Sequence, residues 1–326
     1  MNQYHIIEDL ESYYCLIIRT TIKKIISTLQ LNDCQNIYEV IIGTFMRRKN
    51  IYDEGLLAIS SFAISKLINY IDIKKSFKIF MTLKDQSFNT YLKHSLGKEM
   101  YNNSFILNAG VIALEDVVKA LQEDFSYFTA EYIPLLTGIL GSDDVKKEIK
   151  LPVISLIGEI CFRTKENFIP FLEEIMKILF GACIFSLTDS SLDPELEEYF
   201  NKLRFSLAET FTLIVYGLED CKKLDIFSKY VADIFSYFKR LIDLGNQISL
   251  DIKKAVLGFI IDLINCYGRD LITILDTSLL SKLILDLKEC NNKEYNKYAI
   301  QSEEVSFSLN FSLLRYILNE NNTEEC

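Results

Sequence analysis

Three short segments of this chain repeat one pattern. "ALEDVVKALQEDFSYF", "LIGEICFRTKENFIPF" and "FIIDLINCYGRDLITI" each place an acid after an apolar pair, then a break, then a fresh apolar row. The acids are Asp116, Glu159 and Asp262. A neutral relative, "FTLIVYGLED", puts Thr212 in the same place, so successive copies are separated by 43, 53 and 50 residues, and a weaker copy 51 residues earlier has Ser65 there. Within a copy the apolar residues step by three and four: Val145, Ile149, Val153, Leu156, Ile157 and Ile160 precede one break, and Phe168, Leu172, Ile175 and Leu179 follow it. That spacing is one face of a helix. A helix, turn and helix recurring roughly every 40 to 47 residues, lengthened by insertions, is the signature of HEAT-type repeats.

One such pair cannot cover its own apolar stripe, whereas stacked neighbours share a continuous core. The expected fold is therefore all-α, a HEAT-repeat solenoid of antiparallel helix pairs. It runs as one continuous domain of about seven repeats over residues 1–320, with a polar tail at 321–326. The spacing predicts outer helices near 36–48, 73–96, 125–140, 168–187, 226–244 and 269–289. Inner helices are predicted near 13–29, 52–70, 104–121, 152–162, 194–217, 248–266 and 302–318. Pro152 is placed in the first turn of its helix, where a missing N–H does no harm, leaving 145–151 as a separate turn or kinked start. With only 12 Gly and 4 Pro, the chain lacks the turn punctuation that many short strands require.

Charge narrows the partners. The net charge of -10 and pI near 5.0 disfavour nucleic acid, whose binding needs clustered Lys and Arg. No apolar run reaches the roughly 18 residues of a membrane span, and the acidic start "MNQYHIIEDLESYY" is unlike a signal peptide, so the chain reads as soluble and intracellular. Eight cysteines lie scattered without CxxC spacing, and only His5 and His94 supply imidazoles. With no phosphate-binding Gly loop, HExxH, GxSxG or zinc spacing either, the reading is a non-enzyme without cofactor or metal. Glu159 and Cys161 are two apart on a helix and face different ways, which makes Cys161 a packing residue. The aromatic stretches "DFSYFTAEYIPLL" and "KYVADIFSYFKRL" read as repeat core, with grooves between outer helices as a rival use. The recurring acids differ from other carboxylates in occupying one repeat position on inner helices. Lined up with Glu148, Glu209 and Asp251, they form a negative trough suited to a basic helix.

These residues resemble the C-terminal half of importin-β, the karyopherin nuclear import receptor. "YNNSFILNAGVIALEDVVKALQEDFSYF", "ISLIGEICFRTKENFIPFLEEIMKIL", "YFNKLRFSLAETFTLIVYGL" and "GFIIDLINCYGRDLITILD" look like consecutive repeats of that family in the right order, from about residue 13 to 317. The resemblance implies a superhelix whose inner helices hold the basic importin-β-binding helix of importin-α, or a similar cargo segment. The family's inner-helix acids correspond to Asp53, Glu54, Asp116, Glu159, Glu209 and Asp262. It also implies shuttling between cytoplasm and nucleus, with FG-repeat nucleoporins as a further partner class. The family's N-terminal repeats, which carry the main surface for Ran with GTP, have no counterpart here, so weak or absent Ran binding is expected, and the chain reads as a fragment or a shortened receptor. The family's tryptophan in the last inner helix is also missing, with Phe307 and Phe311 in that region instead. The rival function is a structural scaffold of a multiprotein complex, of the phosphatase type.

Overall fold

Every regular element among the described residues, 88–188, 193–245, 248–271, 277–290 and 292–304 of this computed structural model, is a helix. The chain divides into two compact units, Met1–Leu172 and Glu173–Cys326.

In the first unit, α1 (Phe88–Ser95), α2 (Ser104–Leu121), α3 (Thr129–Gly141) and α4 (Lys147–Thr164) alternate between the two layers of the repeat. Asn103 starts α2 by accepting a hydrogen bond from the Ile106 amide at 3.2 Å, which satisfies one of the donors a helix start leaves open. The apolar rows of α2 and α4 then bury completely at Leu107, Val111, Leu114, Val153, Ile157 and Ile160 as the two helices pack. Cys161 is buried in the same core. Phe125, Phe128 and Tyr132, from the first aromatic stretch, pack together with centroids 5.7 and 6.0 Å apart, all fully buried.

The second unit holds α5 (Leu172–Ser186), α6 (Pro194–Asp220), α7 (Ser228–Ile242), α8 (Leu250–Tyr267), α9 (Thr277–Glu289) and a tenth helix, α10, over 293–304. Asp193 caps α6 with Pro194 at its first turn, and Ser249 caps α8. Phe211 (α6), Phe238 (α7) and Phe259 (α8) meet at 5.4 to 6.3 Å in the core. Arg204 of α6 is a buried cation in this unit, 1% exposed. Its Nε and Nη2 donate to the Ser186 carbonyl at the end of α5 (3.1 and 2.7 Å), and its Nη1 donates to Glu197 (2.8 Å) and Asn201 (3.2 Å).

Three features depart from the sequence reading. Pro152 lies inside α4, which begins five residues before it at Lys147, so the helix forgoes one interior hydrogen bond because its packing on α2 and α3 holds the turn in place. The outer helices predicted from 125, 168, 226 and 269 open as 3₁₀ segments, Gln122–Phe128, Lys165–Phe171, Leu224–Phe227 and Gly268–Leu271, and α3, α5 and α7 follow from Thr129, Leu172 and Ser228. The last inner helix begins at 293 rather than 302. Asn292 accepts from the Glu294 amide at 2.9 Å, and the polar run "KEYNKYAIQSEE" hid this helix from any apolar count. The predicted elements before residue 88 lie outside the described residues.

Backbone geometry marks each passage from an inner to an outer helix. Gln122, Lys165 and Gly268 have φ of 53°, 51° and 55° with ψ of -126°, -113° and -122°, and each opens a 3₁₀ segment. At the end of α6, Lys222 has φ 58°, and the Lys223 amide reaches back to the Leu218 carbonyl at 2.8 Å. Successive turns are also bonded to one another: Arg163 donates to Gln122, Lys165 to Glu123 at 2.7 Å, and Tyr267 to the Leu224 carbonyl at 2.7 Å. These links, with Lys93 to Glu131, Lys254 to Glu294 and Lys282 to Asp243, join residues 38 to 43 apart, at the short end of the roughly 40 to 47 residue period read from the sequence.

The conformation of Lys165 is costly for a side chain with a Cβ, and its equivalent in the second unit is Gly268. Lys165→Gly is expected to stabilise the first unit by about 1 kcal/mol, because the relieved strain exceeds both the chain entropy of glycine and the screened pair with Glu123. Urea denaturation followed by far-ultraviolet circular dichroism checks this; an unchanged or lower midpoint contradicts it.

Candidate functional site

In the first unit, one face of each inner helix stays partly open. On α2 it carries Phe105, Asn108, Ile112, Glu115 and Lys119, and on α4 Leu151, Ser155, Glu159 and Phe162. Asp116 lies beside this row, 6% exposed. Glu159 is on the row and accepts from Arg163 Nε at 2.8 Å. Arg163 also lies 4.9 Å from the Phe162 ring centroid. Lys119 donates to Glu115 at 2.5 Å, and its pKa is raised first by that hydrogen bond and further by the charges of Glu115, Glu159 and Asp116. Glu115 and Glu159 are thus partnered by cations one helical turn along. That pattern is legible as Glu115 to Lys119 and Glu159 to Arg163, four residues apart, and the sequence reading passed over it.

The second unit arranges its acids differently. Helices α6 and α8 pack closely, and together with α10 they line a cleft of about 490 Å³. Phe205, Leu213, Phe259 and Tyr298 give it apolar walls, and Glu209, Asp251 and Asp262 supply carboxylates against the one lysine lining it, Lys254. Gly258 faces α10 closely, since a Cβ there would stand 2.8 Å from the Tyr298 hydroxyl and the tip of that ring would have to shift. Burial pushes the carboxyl of Asp262 above the usual range; the hydrogen bond from Tyr216 opposes this and the charge of Glu219 adds to it. Burial likewise raises Glu209. The Tyr216 hydroxyl is raised by burial and by its bond to Asp262, and Tyr298 by burial and the charge of Asp262. Cys266, one turn beyond Asp262, is pushed up to about 12 by burial and by Glu219, which leaves its thiol unreactive.

Lys254 is oriented by the α10 side. Its Nζ donates to Glu294 at 2.6 Å and lies 5.5 and 5.6 Å from the ring centroids of Tyr295 and Tyr298. The Tyr295 hydroxyl donates to Asp251 at 2.5 Å.

Of the six acids picked out by the sequence, Asp116 and Glu159 share the first unit, Glu209 and Asp262 share the cleft of the second, and Asp53 and Glu54 lie outside the described residues, as do Phe307 and Phe311. Each of the three repeat acids lies six residues before its left-handed turn residue: Asp116 before Gln122, Glu159 before Lys165 and Asp262 before Gly268. On α6 the residue six before Lys222 is Tyr216, the partner of Asp262, rather than Thr212; the 27-residue length of α6 displaced the sequence alignment by a turn. Among the described residues no grouping of His, Cys, Asp and Glu is suited to a metal ion, and no helix is long and apolar enough to cross a membrane. Carboxylates over aromatic walls suit a cationic side chain with an apolar stem.

Comparison with known proteins agrees with this architecture. A family described as importin subunit beta-1-like, TPR repeats, matches residues 2–288. Six of the bonds between repeats span 38 to 43 residues, Tyr295 to Asp251 spans 44 and Ser186 to Tyr237 spans 51, nearer the roughly 40 to 47 of a HEAT pair with insertions than the 34 of a tetratricopeptide repeat. Importin subunit beta-1 of Arabidopsis thaliana is 21% identical over 291 residues, 88% of this chain and 32% of its own. The Saccharomyces cerevisiae protein of the same name is 25% identical over 264 residues, 79% of this chain and 28% of its own. The chain therefore spans about a third of the length of the relatives it matches. Among solved structures, Kap95p described as inducing the switch loops of RanGDP to adopt the GTP-bound conformation superposes with a TM-score of 0.72 at 19% identity, covering 94% of this chain and 35% of that one. A Kap95:Nup1 complex gives 0.63 at 18%, covering 93% and 38%. At these identities the likeness is one of fold, the HEAT-repeat solenoid.

Proposed function

Because this chain belongs to the importin subunit beta-1-like family, we propose that it is a karyopherin-type transport module that holds a basic helical segment against its inner helices. The segment is the importin-β-binding helix of an importin-α adaptor, or a cargo helix of like charge. The observation that carries this reading is the cleft between α6, α8 and α10, where Glu209 and Asp262 stand over aromatic walls. Glu159, with Asp116 beside it, supplies a second acidic stretch on the inner helices of the first unit. Asp53 and Glu54 extend the same series by sequence. The role is binding and carriage between cytoplasm and nucleus, without catalysis.

FG-repeat nucleoporins are proposed as a second partner class. The support is a related protein whose structure is named for its complex with Nup1, together with Ile184 and Phe185 on the outer helix α5, which are 68% and 49% exposed.

The test is titration of a fluorescently labelled, arginine-rich amphipathic helix into the 326-residue chain, with and without saturating GTP-loaded Ran. Saturable binding that weakens with salt is expected. Because the resemblance places the principal Ran surface in repeats outside this span, Ran should change the affinity by less than about tenfold, or 1.4 kcal/mol. Absence of binding at low salt overturns the reading of the cleft, and complete release by Ran overturns the expectation for Ran.

A further inference from the structure

The acids of the cleft invite a cation, yet the cleft already contains one. Lys254 lines it beside Asp251 and on the same helix as Asp262. Its ammonium is turned toward α10 by two tyrosine rings and by Glu294, whose side chain is 74% exposed. A pair with so exposed a partner is screened by solvent and holds the ammonium weakly, whereas the ring contacts orient the stem. Lys254 therefore lies at the edge of the cleft, and the carboxylate that pairs with it among the described residues is an exposed one. An incoming cation meets the attraction of Glu209, Asp251 and Asp262 together with repulsion from this lysine.

We propose that Lys254 is a built-in attenuator of the cleft: a tethered cation that lowers the affinity for a basic segment and restricts the partner's positive side chains to the Glu209 and Asp262 side, away from α10. This rests on the proposed function, since it concerns the strength and register of the same contact. Charge at an interface acts on discrimination as much as on strength, because like charges placed together disfavour a partner in the wrong register. A segment with uniform positive charge would place a cation against Lys254. One whose charges leave a neutral or acidic residue at the α10 end would not, so the cleft selects for patterned charge rather than for total charge.

The experiment measures binding of two labelled helical peptides to the full chain and to Lys254→Met and Lys254→Gln. One peptide carries arginines along its whole length, and the other has a glutamate in place of its terminal arginine pair. Methionine retains an apolar stem for the tyrosines, and circular dichroism confirms that each variant is folded. The uniform peptide is expected to bind both variants about three- to tenfold more tightly than the parent, with the gain shrinking as salt is added. The glutamate peptide is expected to gain nothing or to lose affinity. Binding to a variant but not to the parent also supports the attenuator while overturning the proposed function of the parent. Equal or weaker binding of the uniform peptide to both variants overturns the attenuator and leaves the proposed function standing if the parent binds. If neither parent nor variant binds at low salt, both fail.

Discussion

Arg204→Ala is expected to cost the second unit about 3 to 5 kcal/mol, a large share of what holds a domain of this size together. The guanidinium is buried, and three of its nitrogens reach groups from two helices: the Ser186 carbonyl that ends α5, and Glu197 and Asn201 on α6. Truncation leaves that carbonyl without its cation and breaks the 2.8 Å ion pair with Glu197, a carboxylate 21% exposed. It also removes a cation lying 5.6 Å from the Phe200 ring centroid. The disturbance extends to α7, because the Ser186 hydroxyl is bonded to Tyr237 at 3.0 Å. Lysine does not substitute, since one ammonium cannot span the carbonyl and the carboxylate with the geometry of a planar fork. Urea denaturation read by circular dichroism measures the loss. The double variant Arg204→Met with Glu197→Leu should lose less than the sum of the two single variants, because the ion pair they share is lost only once. A loss below about 1 kcal/mol for the alanine variant would contradict the central place given to this residue.

The second large effect is on binding. Asp116 is nearly inaccessible and Glu159 is engaged by Arg163, so the sharpest test of charge recognition lies in the cleft of the second unit. Glu209→Lys together with Asp262→Asn is expected to weaken the arginine-rich helix by tenfold or more. Close charge pairs at interfaces carry coupling on the order of 1.5 to 7 kcal/mol, and a tenfold loss is about 1.4. Asparagine is chosen at position 262 to keep an acceptor for the Tyr216 hydroxyl. The pH dependence has a defined sign. Both carboxyls have raised pKa values, so they take up protons on acidification before ordinary carboxylates do. Affinity should begin to fall at a higher pH than an exposed Asp or Glu would give, and the double variant should lack that early fall. Unchanged affinity at low salt removes these acids from recognition.

The helix pairs and their period were legible in the sequence because burial on one face writes itself as steps of three and four, as in Leu156, Ile157 and Ile160. The acid series was legible for the same reason, since repeats return equivalent residues to equivalent heights. Arg204 was not. In "FNKLRFSL" it reads as a surface charge on a helix, and nothing local announces that α5 ends against it. Lys254 was missed because its setting is made by α10, a helix whose polar sequence gives little apolar period. Tyr216 was missed because α6 is longer than its fellows and shifts the register. In each case the missing information was a contact between helices, which spacing along one helix does not encode.

The bonds between successive turns also have a mechanical meaning. In the first unit, Arg163 and Lys165 fasten one turn to the one before it, and in the second Tyr267 does the same through Leu224. Each lies on the edge where an inner helix hands over to an outer one. The second unit is fastened at the opposite end of its inner helices as well, where Tyr295 donates to Asp251 and Lys254 to Glu294 near the starts of α8 and α10. Helix α8 is therefore clamped at both ends, so sliding it along its neighbouring inner helices has to break both sets of bonds together.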